Sequence, residues 1–248
     1  MAGISRSIWI FIESAIASGF EWFRVDYCDP LKFGMISDMI ATYLGAEFFK
    51  LQHGETVVAF NPPSKESKLK SSRFGADVVF VTLHDSDMNG SDTLGFGDRQ
   101  GFLVDGPGEY EVKGIFINGF ISESMYGGKK RINTIYRLTL DGMEICFLGA
   151  LSGEIDKKII EDLDTVDILF VPIGGEGVLD PASAYKTVLQ LEPKIVIPMH
   201  YGEIGGGDAL KRFLKEGGSE KAQHVEKLTV KKKDIEGKEA EIIVIDPA

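Results

Sequence analysis

From residue 39 onward, short apolar runs rich in β-branched and aromatic residues alternate with turn formers. This pattern predicts strands over residues 40–43, 48–51, 56–60 and 78–81. His53-Gly54 supplies a turn between the second and third runs, so the opening reads as a β-meander. Further strands are expected over residues 101–104, 110–112, 115–120, 134–140 and 144–148. Asp141-Gly142, between the last two, is a strong hairpin signal. After Gly153 the period changes: Ile155, Ile159, Ile160 and Leu163 fall at helical spacing and precede an apolar strand over residues 168–171. Asp180 is placed to cap a second helix that opens on Pro181, and a strand follows over residues 195–199. A last helix over residues 209–215 and strands over 227–230 and 240–245 complete the chain. A β-rich first half followed by alternating helices and strands predicts an α/β protein. Its two sheets pack face to face with helices outside, an αββα sandwich.

Composition narrows the picture. A chain of 248 residues, 44% hydrophobic and 26% charged, buries a substantial core and is expected to form one main domain. A formal net charge of −11 argues against nucleic acid as a partner, because binding a polyanion requires a surplus of Lys and Arg. Ile8-Trp9-Ile10-Phe11-Ile12 starts an apolar stretch, but Glu13 and Glu21 interrupt it short of the ~20 apolar residues of a spanning helix. No small-residue cleavage site follows it either. Residues 1–34 are therefore read as an N-terminal extension and residues 35–248 as the domain, with no membrane partner. Cys28 and Cys146 are isolated, with no C-x-x-C spacing, which points to a reducing, cytoplasmic setting. Cys146 lies within a buried strand and is expected to act as a small hydrophobe rather than a nucleophile.

The candidate chemistry lies where the fourth apolar run enters Thr82-Leu83-His84-Asp85-Ser86-Asp87-Met88-Asn89-Gly90. This segment resembles the T-H-x-H-x-D-H-x-G loop of the metallo-β-lactamase superfamily. The resemblance extends through Asp105-Gly106-Pro107-Gly108-Glu109-Tyr110-Glu111-Val112-Lys113-Gly114, Asn133-Thr134-Ile135-Tyr136, Leu179-Asp180-Pro181 and the stretch from Glu192 to Tyr201. Together these are similar to small bacterial zinc-dependent hydrolases related to ascorbate-phosphate lactonases, and they cover about residues 39–245. In such enzymes His and Asp from several loops hold one or two divalent ions, which turn a bound water into a hydroxide nucleophile.

Carried over position by position, the resemblance places Leu83, Asp85 and Met88 where three histidine ligands stand, with Asp87 the one match in that loop. A further family histidine falls near Ser122 or Ser124, and the metal-bridging aspartate falls on Ala150. The last histidine matches as His200. A carboxylate that orients a ligand in the family is Asn61 here, in Phe60-Asn61-Pro62. The residual metal ligands are thus Asp87, His200 and the substitute carboxylate Asp85, with His84 one residue out of register. A catalytic zinc normally has three protein ligands. The expectation is that no metal is held, that Asp87 caps its turn and that His200 hydrogen-bonds to it. Zinc or another divalent ion is the expected cofactor only if the residual site is used.

The leading functional expectation is a metallo-β-lactamase-fold protein without catalysis, binding a small molecule or a protein or serving as a scaffold. Self-association is expected by analogy with lactonase-like relatives. The alternative is a hydrolase with a remodelled mononuclear site on Asp85, Asp87 and His200, acting on a small phosphoester, lactone or other ester. Metal-free acid/base work by Asp85 and Asp87 is disfavoured, since carboxylates on a turn are usually solvated. A triad is disfavoured too, since no strained G-x-S-x-G turn marks a nucleophile. Gly174-Gly175-Glu176-Gly177 and Gly205-Gly206-Gly207 lack the spacing of a phosphate loop and are expected to be flexible loops at the rim. Lys231-Lys232-Lys233 reads as a solvated hairpin end, and His53 and His224 as turn or surface residues.

Overall fold

The computed structural model describes residues 38–95 and 101–248, so the extension assigned to residues 1–34, and Cys28 within it, lies outside the described residues. The first sheet is built from β1 (Met39–Tyr43), β2 (Phe49–His53), β3 (Thr56–Phe60), β4 (Val78–Phe80) and β5 (Phe102–Val104), with β13 (Leu228–Val230) returning to its edge. Its order is β13-β1-β2-β3-β4-β5. The second sheet contains β6 (Gly108–Val112), β7 (Ile115–Ser124), β8 (Arg131–Leu140), β9 (Met143–Phe147), β10 (Ile168–Pro172), β11 (Ile195–Met199), β12 (Gln223–Val225) and β14 (Glu241–Ile245). It runs in the order β12-β14-β11-β10-β9-β8-β7-β6. The helices are α1 (Lys157–Leu163), α2 (Pro181–Leu191) and α3 (Ala209–Glu216).

Alternation along the strands decides which side chains enter the core. Val58 and Phe60 on β3 face the second sheet, while Ala59 faces outward. Between the sheets, Phe60 stacks on Phe147 at 4.3 Å, Phe49 meets Phe170 edge-on at 4.8 Å and Phe80 meets Tyr136 at 4.9 Å between ring centroids. The strands β9, β10 and β11 are buried along nearly their whole length, as parallel strands covered on both faces must be. Ala184 and Val188 of α2 and Phe213 of α3 join the core that covers the second sheet. Asp180 caps α2 as expected, accepting from the amides of Ala182 and Ser183.

Two local expectations are corrected. The meander ends at β3: β3 and β4 pair parallel, as do β4 and β5, because the long crossings between them return each strand in the same direction. Phe48, Ala76, Leu94 and Phe74, from irregular chain, pack on the outer face of the first sheet. Lys231-Lys232-Lys233 is not a solvated hairpin end. Lys232 opens a 3-10 turn and reaches the buried Asp167, while Lys231 pairs with Asp38 at 3.0 Å. The Asp141-Gly142 hairpin forms as expected, with φ of 55° and 67° at its two central residues, the left-handed pair that a tight two-residue turn demands.

Candidate functional site

Parallel strands end at one edge of the sandwich, and loops that leave their carboxyl ends gather there, the usual location of a site in a parallel sheet. Asn61 follows β3, Leu83 to Met88 follow β4, Ala150 follows β9 and His200 follows β11. Asn133 lies on β8 beside them.

A buried polar layer ties these loops together. His200 is fully buried, and its Nδ1 lies 2.7 Å from Glu47 Oε1; a carboxylate only accepts, so Nδ1 carries the proton. Asn61 donates to Glu47 Oε2 and to Thr82 Oγ1, both at 2.8 Å, and accepts from the Thr82 amide at 2.9 Å. An Asp at position 61 would set two carboxylates against each other here, so Asn61 and Glu47 are chemically matched. Asn133 accepts from the Ala150 amide and donates to the Leu148 carbonyl and Ser122 Oγ. Gly149, at φ +59°, lies so close to this layer that a Cβ there would fall 2.5 Å from Thr82 Oγ1 and 2.6 Å from Asn133 Oδ1. His200 itself has φ +61°, uncommon for a residue with a side chain, and its amide is held by the Ala46 carbonyl at 2.7 Å.

Above this layer the site is apolar. Leu83, Met88, Ala150 and Val178 form one buried cluster with Tyr126 packed against it. Tyr126, on the 3-10 turn Tyr126–Gly128, donates its hydroxyl to Asp87 Oδ2 at 2.7 Å. Its ring stands nearly perpendicular to the His200 ring at 5.2 Å between centroids. Burial, and then the hydrogen bond and charge of Asp87, raise the Tyr126 pKa well above that of a free phenol.

The three residual ligands thus have separate partners. Asp85 is ion-paired with Arg131 and also accepts from the Asp87 amide at 3.1 Å. Asp87 accepts from Ser67 Oγ at 2.5 Å as well as from Tyr126. His200 is bonded to Glu47 and not to Asp87, which corrects the expected contact: the Tyr126 ring stands against His200 and the hydroxyl takes Asp87. The two aspartates are only partly exposed and engaged rather than solvated. His84 is exposed, with its Nε2 3.2 Å from the Asp105 carbonyl. The glycine loops pack on one another, the Gly206 amide donating to the Gly174 carbonyl at 2.8 Å, so they close the rim rather than move freely over it.

A divalent ion requires at least three converging donors. Among the described residues no group of three His, Cys, Asp or Glu is placed to hold one. The buried His200 Nε2 has no hydrogen-bond partner, yet the neighbouring walls are hydrocarbon and a phenol, and the nearby carboxylate is already doubly engaged. The residues present do not fit a metal. Glu47, Tyr126 and Arg131 had no signal in the sequence, since each acts through a contact between distant segments.

A two-sheet α/β sandwich with its loops gathered at one end of the parallel strands defines a protein of the metallo-β-lactamase fold. Residues 41–200 match the family model of the Beta-lactamase superfamily domain, and the chain belongs to that family. A UPF0173 metal-dependent hydrolase of Lysinibacillus sphaericus is 27% identical over 195 residues, 66% of this chain and 85% of that protein. Another, from Carboxydothermus hydrogenoformans, is 38% identical over 66 residues, a match that spans only 29% of that protein. In three dimensions the chain is similar to a member of the metallo-beta-lactamase superfamily from Thermotoga maritima. The TM-score is 0.69 at 24% identity, covering 85% of this chain and all of the other.

Proposed function

We propose that this member of the superfamily has given up metal-dependent hydrolysis and uses the sandwich as a metal-free binding or scaffold protein. The observation that carries this reading is the closed apolar cluster of Leu83, Met88, Ala150 and Val178 beneath Tyr126, at the positions where the resemblance expects metal ligands or their neighbours. Rebuilding a catalytic centre would require Asp85 to leave Arg131 and Asp87 to leave Tyr126, each exposing a charge-assisted bond to competition. The relatives' names favour hydrolysis, and the donor set of this chain favours its loss. No helix among the described residues is long and apolar enough to cross a membrane. The isolated cysteines support a cytoplasmic setting for this role.

The second reading, a mononuclear hydrolase on Asp85, Asp87 and His200, rests on the unpartnered His200 Nε2. Elemental analysis decides between them, on protein purified without a histidine tag and exposed to zinc, manganese and iron. The metal-free reading expects well below one ion per chain, and Asp87→Ala and His200→Ala variants altered in stability with metal content unchanged. Near-stoichiometric metal that disappears in Asp87→Ala would overturn it.

A further inference from the structure

We propose that Tyr126 is a built-in ligand of the former active site, and that the pocket it fills is a binding site for small phenols, admitted when the Tyr126–Gly128 turn swings outward. The inference rests on the metal-free reading of that site.

One side chain packs on the apolar cluster and bonds to Asp87 at the same time. The phenol ring lies against Leu83, Met88, Ala150 and Val178, and its hydroxyl donates to Asp87. An ionised carboxylate accepts only, and its other oxygen is taken by Ser67, so the remaining place selects a hydroxyl donor on an aromatic body. His200, whose ring meets Tyr126 nearly perpendicular at 5.2 Å between centroids, is a second, independent sign of an incompletely satisfied site: its buried Nε2 has no partner. A phenol carrying a further polar group therefore has something to gain over the tethered ring.

The tether is weak enough to release. Tyr126 is half-buried, is preceded by Met125, which is 44% exposed, and is followed by two glycines. Among the described residues the main chain of the turn is held by three hydrogen bonds besides the Tyr126–Asp87 contact: Met125 amide to Gly177 carbonyl at 3.1 Å, Gly128 amide to Met125 carbonyl at 2.9 Å, and Tyr126 amide to Ser124 Oγ at 3.2 Å. None of the three is a backbone bond between two strands.

The test removes the internal ligand and supplies an external one. Tyr126→Ala, stripped of metal with chelator, is titrated with phenol and with toluene by calorimetry, beside the unmodified protein. An aromatic ring enters an apolar cavity readily, and a hydrogen bond to a charged acceptor adds about tenfold or more in affinity. The variant is expected to bind phenol saturably and more tightly than the unmodified protein does. It should prefer phenol to toluene by about that factor, and a further Asp87→Ala change should erase the preference. A folded variant that ignores phenol, or does not distinguish it from toluene, would overturn the proposal. If Tyr126→Ala does not fold, the unmodified protein labelled with 3-fluorotyrosine is titrated with phenol instead. The Tyr126 resonance, assigned through Tyr126→Phe, should then move with saturation, and a fixed resonance overturns the proposal. Metal content measured on the same samples before chelation separates the two claims: stoichiometric metal defeats the metal-free reading, and metal-free protein that fails to bind defeats the pocket alone.

Discussion

Replacing Glu47 tests the polar layer on which the whole site rests. Glu47 is 1% exposed and is the acceptor for both His200 Nδ1 and Asn61 Nδ2. In Glu47→Ala, His200 is left without a partner on either ring nitrogen while still fully buried, a state that costs about 1–3 kcal/mol. Asn61 loses one bond but keeps Thr82, a loss of about 1 kcal/mol. The methylenes removed leave a space under the His200 loop that costs about 1 kcal/mol more. Together these predict about 3–5 kcal/mol. Glu47→Gln keeps the shape and one acceptor and should cost about 1–2 kcal/mol. Urea unfolding followed by fluorescence reads the difference as a lower midpoint at unchanged slope, and thermal melting as a fall of about 2–4 °C per kcal/mol. In a double-mutant cycle, His200→Ala should cost clearly less in the Glu47→Ala background than alone. A Glu47→Ala cost below about 1 kcal/mol, or additive effects of the two changes, would refute the account of Glu47 as the partner that holds His200.

Three further outcomes follow from the same structure. Met88→Ala, which opens the fully buried apolar cluster, should destabilise by about 2–4 kcal/mol in denaturant unfolding, with no change in metal content. Burial alone would push the Asp167 carboxyl up, but hydrogen bonds from Lys194, Lys232 and the Glu144 amide outweigh it and hold its pKa below the usual value. That contribution to stability is fully present above the unfolded carboxylate value of about 3.9 and is lost as pH falls through the lower folded value. Asp167→Asn should therefore lower stability at neutral pH and flatten the acid limb of the stability profile, and an unchanged limb would count against the pairing. Burial pushes the Cys146 thiol up to about 12, so in a Cys28→Ser background it should resist a thiol reagent at neutral pH until the protein unfolds.

Sequence pattern determined the elements and the family. Apolar runs of strand length, the Asp141-Gly142 turn and the Asp180-Pro181 helix start are local features, and local chemistry is enough to place them. The short strand β12 was missed because its residues Gln223-His224-Val225 carry too little apolar signal. It forms because β14 offers an open parallel edge. The parallel direction of β4 against β3 was likewise not legible, since it depends on how a long crossing returns and not on the strand's own residues.

At the site, the sequence alone determined which residues stand where the resemblance expects ligands: Leu83, Asp85, Met88 and Ala150, with Asp87 and His200 as matches. Only the tertiary structure decided what those residues do. Leu83 and Met88 come from the loop after β4 and Ala150 from the loop after β9, and they make a core only when Val178 and Tyr126 arrive beside them. Asp85 is neutralised by Arg131, 46 residues away in the chain, and His200 is held by Glu47, 153 residues away. Hydrogen bonds and apolar contacts act over a few ångströms regardless of chain separation, so the pattern along the chain names the residues while the fold selects their partners.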